Sequence, residues 1–387
     1  MDGGSAETEA PGGADSNVAG RLRVLYVANK ALPYGDYRMA YGRESRQVEV
    51  TYGLPGPVPG VPDERFVRVD LREGMGARDL LPLLRLYAYL RRNRRRLHLA
   101  HFYSTKLVLV GPLLARAAGV RSLVTVTGLG RTFSEGGAAY ALLRRVYLRL
   151  ARASLGASEA FLFQNSGDLR WLAERIPEHA GKMSYIGSAV SVPDTGERDY
   201  QAEPLGVLLV TRVMAAKGVD DFIEVARRLH GGRFRFVLVG PPSTGEDALL
   251  QRVKAAADEG WMEYRGELSG DALYDEFRRA AVFYFPSRYA EGLARVMLEA
   301  GFFGLCPVAC DIVSNRDLLA EGRGFMLPAD AGADDAAALL ERLETDRGLL
   351  RVNAETYRAF VREAYTQEAY TRRMDALLGA LFAADGQ

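Results

Sequence analysis

Ala281-Val-Phe-Tyr-Phe-Pro-Ser-Arg-Tyr-Ala-Glu-Gly-Leu-Ala-Arg-Val-Met-Leu-Glu-Ala-Gly301 runs from an apolar hexamer into a segment with helical spacing. The hexamer reads as a buried strand, and the residues after it as a helix whose first turn sits at the strand's carboxyl end. Seven residues separate Glu291 from Glu299. An eight-residue helical step is a little over two turns, so both carboxylates are expected on one face, about 12 Å apart along the axis. Glutamates at such a spacing are ordinarily solvated. Here Val296, Met297, Leu298 and Ala300-Gly-Phe-Phe-Gly304 leave little polar face. A carboxylate at Glu299 therefore needs a hydrogen-bonding partner, and the ribose diol of a nucleotide fits.

The same alternation of apolar strand and helix extends in both directions. Arg21-Leu-Arg-Val-Leu-Tyr-Val-Ala28, Leu97-His-Leu-Ala-His-Phe102, Gly119-Val-Arg-Ser-Leu-Val-Thr-Val-Thr127 and Ala160-Phe-Leu-Phe-Gln164 read as strands, each feeding a loop and a helical stretch. Beyond Pro193-Asp-Thr-Gly-Glu-Arg-Asp-Tyr-Gln-Ala-Glu-Pro204, which has linker composition, the pattern restarts with Gly206-Val-Leu-Leu-Val-Thr211 and Arg235-Phe-Val-Leu-Val-Gly240. Near-continuous apolar strands in repeated βα units point to an α/β fold of two Rossmann-like domains. Their parallel sheets are covered on both faces, and the strand-end loops face an interdomain cleft. A chain of 387 residues is long enough for two cores. The expected boundaries are a disordered tail over 1–20, a first domain over 21–190 and a second over 191–364, with a terminal helix over 365–387 crossing back to the first. Tyr357, Phe360, Val361 and Tyr365 give the tail segment 355–382 a helical apolar stripe.

Composition narrows the class. Hydrophobic residues at 48% and charged residues at 26% are ordinary for a soluble globular protein, and no run approaches the ~18 apolar residues of a membrane span or resembles a signal peptide. The two cysteines, Cys306 and Cys310, have no second pair to complete a metal site and read as buried thiols in a reducing compartment. Near-zero net charge hides an asymmetry. Residues 21–190 carry 27 Lys and Arg against 13 Asp and Glu, whereas residues 191–387 carry 23 against 32. The arginines concentrate in Arg91-Arg-Asn-Arg-Arg-Arg96 and in Leu142-Leu-Arg-Arg-Val-Tyr-Leu-Arg-Leu-Ala-Arg152, interleaved with apolar and aromatic residues. Two readings stay open: a surface lying on anionic lipid head groups, or solvated helix ends whose arginines suit the dipole. No nucleic-acid-binding motif accompanies the charge, so nucleic acid is not an expected partner.

One strand-end loop has anion chemistry of its own. Arg212-Val-Met-Ala-Ala-Lys217-Gly218-Val219 follows the strand ending at Thr211 and opens the helix that starts near Asp220. Two cations and a glycine at a helix amino terminus make an anion site, with each charge-assisted bond contributing about 1.5–3 kcal/mol. The Gly-x-x-x-x-Gly-Lys-Ser/Thr loop of P-loop NTPases is absent.

The paired-Glu segment, together with Arg212 and Lys217-Gly218, resembles the donor half of the retaining glycosyltransferases of family 4, which have the GT-B fold. In the first half, His101-Phe-Tyr-Ser-Thr-Lys106 and Thr125-Val-Thr-Gly-Leu-Gly130-Arg-Thr-Phe133 resemble the subgroup that extends polyprenyl-diphosphate-linked saccharides for O-antigen, capsule or N-glycan assembly. The resemblance implies a hexosyltransferase that moves a hexose or N-acetylhexosamine from a UDP-sugar with retained configuration. On that resemblance it would work on the inner face of the cell membrane as a peripheral cytoplasmic enzyme without metal or cofactor. Arg212 and Lys217 would neutralise the diphosphate leaving group, and Glu299 would accept from the ribose hydroxyls. Glu291 would touch the transferred sugar, while Gly292, Leu293 and Gly240 line the donor site. His101 would face the sugar from the first domain, and Lys106, Gly128, Leu129 and Gly130 would form acceptor-side loops. The chain departs from the family in having a single glycine in the loop after the first strand, where a pair is common, and from the subgroup in Leu107, where proline often follows the lysine, and in Gly187-Ser-Ala-Val-Ser191, where Gly-Ser-Gly-Val-Asp is common. The alternatives are a nucleotide-sugar 2-epimerase on the same scaffold and a non-catalytic sugar-nucleotide-binding protein.

Overall fold

The computed structural model describes residues 20–30, 32, 36–58, 60–71, 76–129, 137–193, 195–289 and 292–383. Two parallel sheets organise them. The first contains β1 (Leu22–Val27), β2 (Val48–Leu54), β3 (Phe66–Arg68), β4 (Leu99–Tyr103), β5 (Ser122–Val126), β6 (Ala160–Phe163) and β7 (Met183–Tyr185), in the order β3-β2-β1-β4-β5-β6-β7. The second contains β8 (Leu205–Val210), β9 (Phe234–Val239), β10 (Glu263–Tyr264), β11 (Val282–Phe285), β12 (Cys306–Cys310) and β13 (Phe325–Leu327), in the order β10-β9-β8-β11-β12-β13.

Burial on both faces explains why these strands read as continuous apolar runs. In β1, Val24 and Tyr26 enter one core with helix Tyr37–Glu44, while Leu25 and Val27 enter the other with the helices Leu80–Asn93 and Thr105–Ala118. Strand order reverses between β1 and β4 in the first sheet and between β8 and β11 in the second. At such a reversal the crossovers run to opposite sides and open a crevice at the strands' carboxyl ends. The carboxyl end of β4, which carries His101, and the segments that follow β8, with Arg212, and β11, with Pro286 to Tyr289, therefore lie at two crevices.

The helix after β11 differs from expectation. It spans Arg295–Phe302 and so does not begin directly at the carboxyl end of β11 at Phe285, with Ala294 in an extended conformation as its N-cap (φ −74, ψ 104). The helical spacing between Glu291 and Glu299 thus does not exist, and Glu291 itself lies outside the described residues. Gly292 is pressed against the first domain so closely that a Cβ there would fall 1.7 Å from the Thr127 carbonyl oxygen.

The tail divides its work between the domains. Tyr357 and Val361 of helix Arg347–Ala364 pack on Gly301, so the apolar stripe serves the second core. The next helix, Gln367–Ala383, places Tyr370, Met374 and Leu378 in the first core. There Tyr41 donates to Asp375 at 2.7 Å, and Tyr37 meets the Tyr370 ring edge-on at 4.7 Å between centroids. Cys306 and Cys310 are buried thiols, and burial pushes both up from the ordinary cysteine range. Among the described residues no helix is long and apolar enough to cross a membrane.

Candidate functional site

The second domain supplies a cationic loop. After β8, Ala215–Lys217 forms a single 3-10 turn, and Gly218 (φ +73) hands it to helix Val219–Leu229. Glycine is needed there twice over: for the left-handed backbone, and because a Cβ would lie 2.3 Å from the Pro286 carbonyl oxygen. That close approach clamps the Lys217 loop onto the loop after β11. Arg288 completes the clamp, its N–H donating to Ala216 O at 3.1 Å and its guanidinium pairing with Asp221 and donating to Ala329 O and Ala331 O. Gly240, at the end of β9, is packed equally closely on the Thr211 carbonyl beside Arg212.

Within this frame Arg212 is exposed and makes no ion pair or hydrogen bond among the described residues. Lys217 is buried, with its ammonium 4.7 Å from the centre of the Tyr289 ring. Burial, and then the charge of Arg212, bring Lys217 down to about 8. Two cations held together at such a cost are set for an anion. Glu299, one turn into helix Arg295–Phe302, is half-buried and has no hydrogen-bond or ion-pair partner among the described residues. Burial raises its carboxyl above the usual range, with Arg295 one turn earlier opposing.

The first domain supplies a cavity of about 670 Å³. Its walls include Lys30, Asp36, Arg38, Tyr103, Ser104 and Lys106, and it is closed from the second domain by Tyr289, Leu293 and Arg295. Tyr289 thus borders both regions, lining the cavity and facing Lys217. Lys106 is the second residue of helix Thr105–Ala118, almost fully buried, and bonds Asp79 at 2.6 Å. Arg38 grips Asp36 with two guanidinium nitrogens at 2.7 and 2.8 Å; burial works against the Asp36 carboxylate, yet this fork holds it below its ordinary value. Arg295 reaches the same carboxylate at 3.7 Å from the other domain. Ser104 precedes the helix start with φ +77 and ψ 145, a conformation rare for any residue with a Cβ, and its hydroxyl is buried with no partner among the described residues. Strain, an orphan hydroxyl and a helix amino terminus therefore meet on one wall.

His101 sits one layer back. It is fully buried, its Nε2 2.8 Å from Thr125 Oγ1 and its Nδ1 3.1 Å from the Tyr103 hydroxyl, with the Tyr103 ring stacked on it at 4.2 Å. Burial, then Arg38, depress it well below the ordinary histidine range, so the ring is neutral. Tyr103, not His101, forms the cavity wall.

Gly128 and Leu129 lie at the seam between domains. Asn165, which caps helix Ser166–Arg175, donates to the Gly292 carbonyl at 2.7 Å and to Asp168 at 2.8 Å, and Asp168 accepts the Leu129 N–H at 3.3 Å. One asparagine thus ties the 128–129 loop to the loop of Gly292 and Leu293. The Ser166 N–H donates to Asp317 across the same seam at 2.6 Å. Gly130 lies outside the described residues. Sequence reasoning missed Asp36, Arg38, Tyr103, Ser104, Asn165, Asp168 and Arg295. Of these only Asn165-Ser-Gly-Asp168 carried a local sign, a capping residue with an acid three positions on, directly after an apolar strand. Among the described residues no group of three or more His, Cys, Asp or Glu could hold a metal ion.

Known proteins resemble this chain in two ways. Residues 204–346, which contain the second sheet, match the family described as glycosyl transferases group 1. Over 116 residues the chain is 32% identical to O-antigen chain mannosyltransferase B of Escherichia coli, a match covering 30% of this chain and 29% of that protein. The chain spans less than a third of the length of the curated relatives it matches. In three dimensions it is similar to sucrose-phosphate synthase from Thermosynechococcus elongatus (TM-score 0.75, 18% identity, 94% of this chain and 100% of that one). It is likewise similar to Anabaena Alr3699/HepE in complex with UDP-glucose (TM-score 0.69, 14% identity, 93% and 100%). At such identities the likeness establishes the fold alone, and that fold is GT-B.

Proposed function

We propose that the protein is a retaining glycosyltransferase that moves a hexose or N-acetylhexosamine from a UDP-sugar to a polyprenyl-diphosphate-linked saccharide in bacterial surface glycan assembly. The enzyme works peripherally on the cytoplasmic face of the membrane. The observation that carries this reading is the cluster of charged groups at the second crevice, two neighbouring cations and a half-buried carboxylate. Arg212 and a desolvated Lys217 precede a helix amino terminus, and Glu299, with no hydrogen-bond or ion-pair partner among the described residues, lies on the helix that follows β11. A nucleoside diphosphate satisfies all of them at once, its phosphates on the cations and its ribose diol on the carboxylate. The family match over residues 204–346 and a structural neighbour in complex with UDP-glucose support the same ligand class.

In the reaction the bond between the anomeric carbon and the leaving phosphate oxygen breaks, and its electron pair passes to the diphosphate. Arg212 and Lys217 stabilise that growing negative charge, the task for which a metal-free site needs cations. The acceptor hydroxyl attacks from the same face and gives its proton to the departing phosphate, which preserves configuration. Glu291 is assigned to the transferred sugar. The cavity on the first-domain side, with Lys30, Arg38, Lys106 and Arg295 against Asp36, suits an acceptor bearing phosphate. His101 acts by holding Tyr103 and not by touching substrate.

The test is product analysis with a panel of UDP- and GDP-sugars, with and without a polyprenyl-diphosphate disaccharide. The proposal expects one UDP-sugar to be consumed and the lipid-linked saccharide to grow by one residue. An epimerised nucleotide sugar formed without acceptor would replace this reading with the epimerase, and binding without turnover would replace it with the non-catalytic protein.

A further inference from the structure

Six of the ten large hydrophobic side chains exposed among the described residues belong to the amino-terminal halves of two helices. They are Leu80, Leu81 and Leu84 of helix Leu80–Asn93, and Leu142, Leu143 and Val146 of helix Ala138–Ala157. Leu80 is 63% exposed and Leu142 62%. These two helices contain seven arginines and no acidic residue. Arg85, Arg145 and Arg149 are exposed beside the leucines and make no ion pair among the described residues.

Topology puts both apolar ends on one side. Each helix lies between parallel strands and so begins at the carboxyl edge of the sheet, the edge that faces the cleft. Helix Thr105–Ala118 lies between them, packed against both, and its Lys106 and Leu109 line the cavity. The Ser154 hydroxyl bonds the Val108 carbonyl at 2.6 Å, so the end of the longer helix is level with the start of its neighbour. The sixteen residues before Ser154 rise about 24 Å and carry Leu142, Leu143 and Val146 past the start of helix Thr105–Ala118. The cavity wall formed by Lys106 and Leu109 therefore belongs to the helix that lies between two apolar, arginine-rimmed tips.

We propose that these tips are a membrane-docking face, which seats the six apolar side chains at the head-group boundary of an anionic bilayer and aims the cavity mouth at the lipid surface. Charge decides the occupant. A symmetric pairing of two copies through this face would set arginines against arginines, whereas anionic head groups neutralise them. The arginine run at 91–96 lies at the other end of helix Leu80–Asn93, about 17 Å from Leu80 along the axis, and does not share the docking plane. The proposal deepens the reading of a membrane-anchored acceptor and rests on it for its role in catalysis.

The test is flotation of the full chain with vesicles of phosphatidylcholine alone or containing phosphatidylglycerol, with UDP affinity measured in parallel. The wild type is expected to float with the anionic vesicles. The variant L81Q/L84Q/L143Q/V146Q should bind them at least about tenfold more weakly at unchanged UDP affinity, and R91Q/R92Q/R95Q/R96Q should lose less than about threefold. Loss confined to R91Q/R92Q/R95Q/R96Q, undiminished binding by L81Q/L84Q/L143Q/V146Q, or a wild-type dimer that L81Q/L84Q/L143Q/V146Q dissolves would each overturn the proposal. A wild type that floats but does not bind UDP would contradict the donor reading and leave the docking face standing.

Discussion

Burial and Arg212 together leave the Lys217 ammonium with a pKa of about 8 in the free protein. A bound diphosphate favours the charged form and raises that value. Affinity for UDP should therefore be full below about pH 8 and decline as pH rises through the free-protein value, by at most tenfold per unit. Calorimetry between pH 7 and 9.5 checks this; a flat profile in the wild type, or a slope that survives Lys217→Ala, would contradict the assignment. Arg212→Ala should cut turnover at least ~10²-fold, the usual cost of a lost transition-state donor, and near-normal rates would remove Arg212 from the chemistry. At this scale the legible residues were those whose neighbours made them conspicuous: a glutamate in an apolar helix, and two cations after a strand. Arg295 was not legible. An arginine opening a helix looks solvated until the fold brings it within 3.7 Å of Asp36, 259 positions away.

Elements were legible where both faces are buried. β1, β4, β5, β6, β8, β9 and β11 are largely apolar runs, and each was read within a few positions of its bounds. β2, Val48-Glu-Val-Thr-Tyr-Gly-Leu54, mixes polar residues into the run, and β3, β7, β10 and β13 are edge strands of two or three residues, too short for periodicity to register. The close seat of Gly292 was invisible for another reason: the constraint on it comes from Thr127 and Gly128 in the other domain. Gly292→Ala should force the loops apart, since a backbone oxygen cannot yield 1.7 Å to a Cβ. Turnover should fall at least about tenfold by misplacement of the reacting groups, with UDP affinity nearly intact because the cations and Glu299 lie within one domain. Steady-state kinetics beside calorimetry checks this, and wild-type turnover would show that the seam opens freely during the cycle.

The whole molecule depends on relations that no window of sequence contains. Asn165 holds Gly292, Ser166 holds Asp317, and the terminal helix returns to put Asp375 on Tyr41. These contacts bring two crevices, each at a strand-order reversal, into one cleft with cations on one wall and a positively lined cavity on the other. The two-sheet plan could be read from repeated βα units, whereas the closure that makes one site of two depended on polar contacts spaced more than a hundred residues apart. A crystal structure of the protein soaked with UDP tests the central claim most directly. The account predicts the diphosphate within hydrogen-bonding distance of the Arg212 guanidinium and the Lys217 ammonium, with the ribose hydroxyls on Glu299. A diphosphate bound elsewhere, with Glu299 still unpartnered, would contradict it.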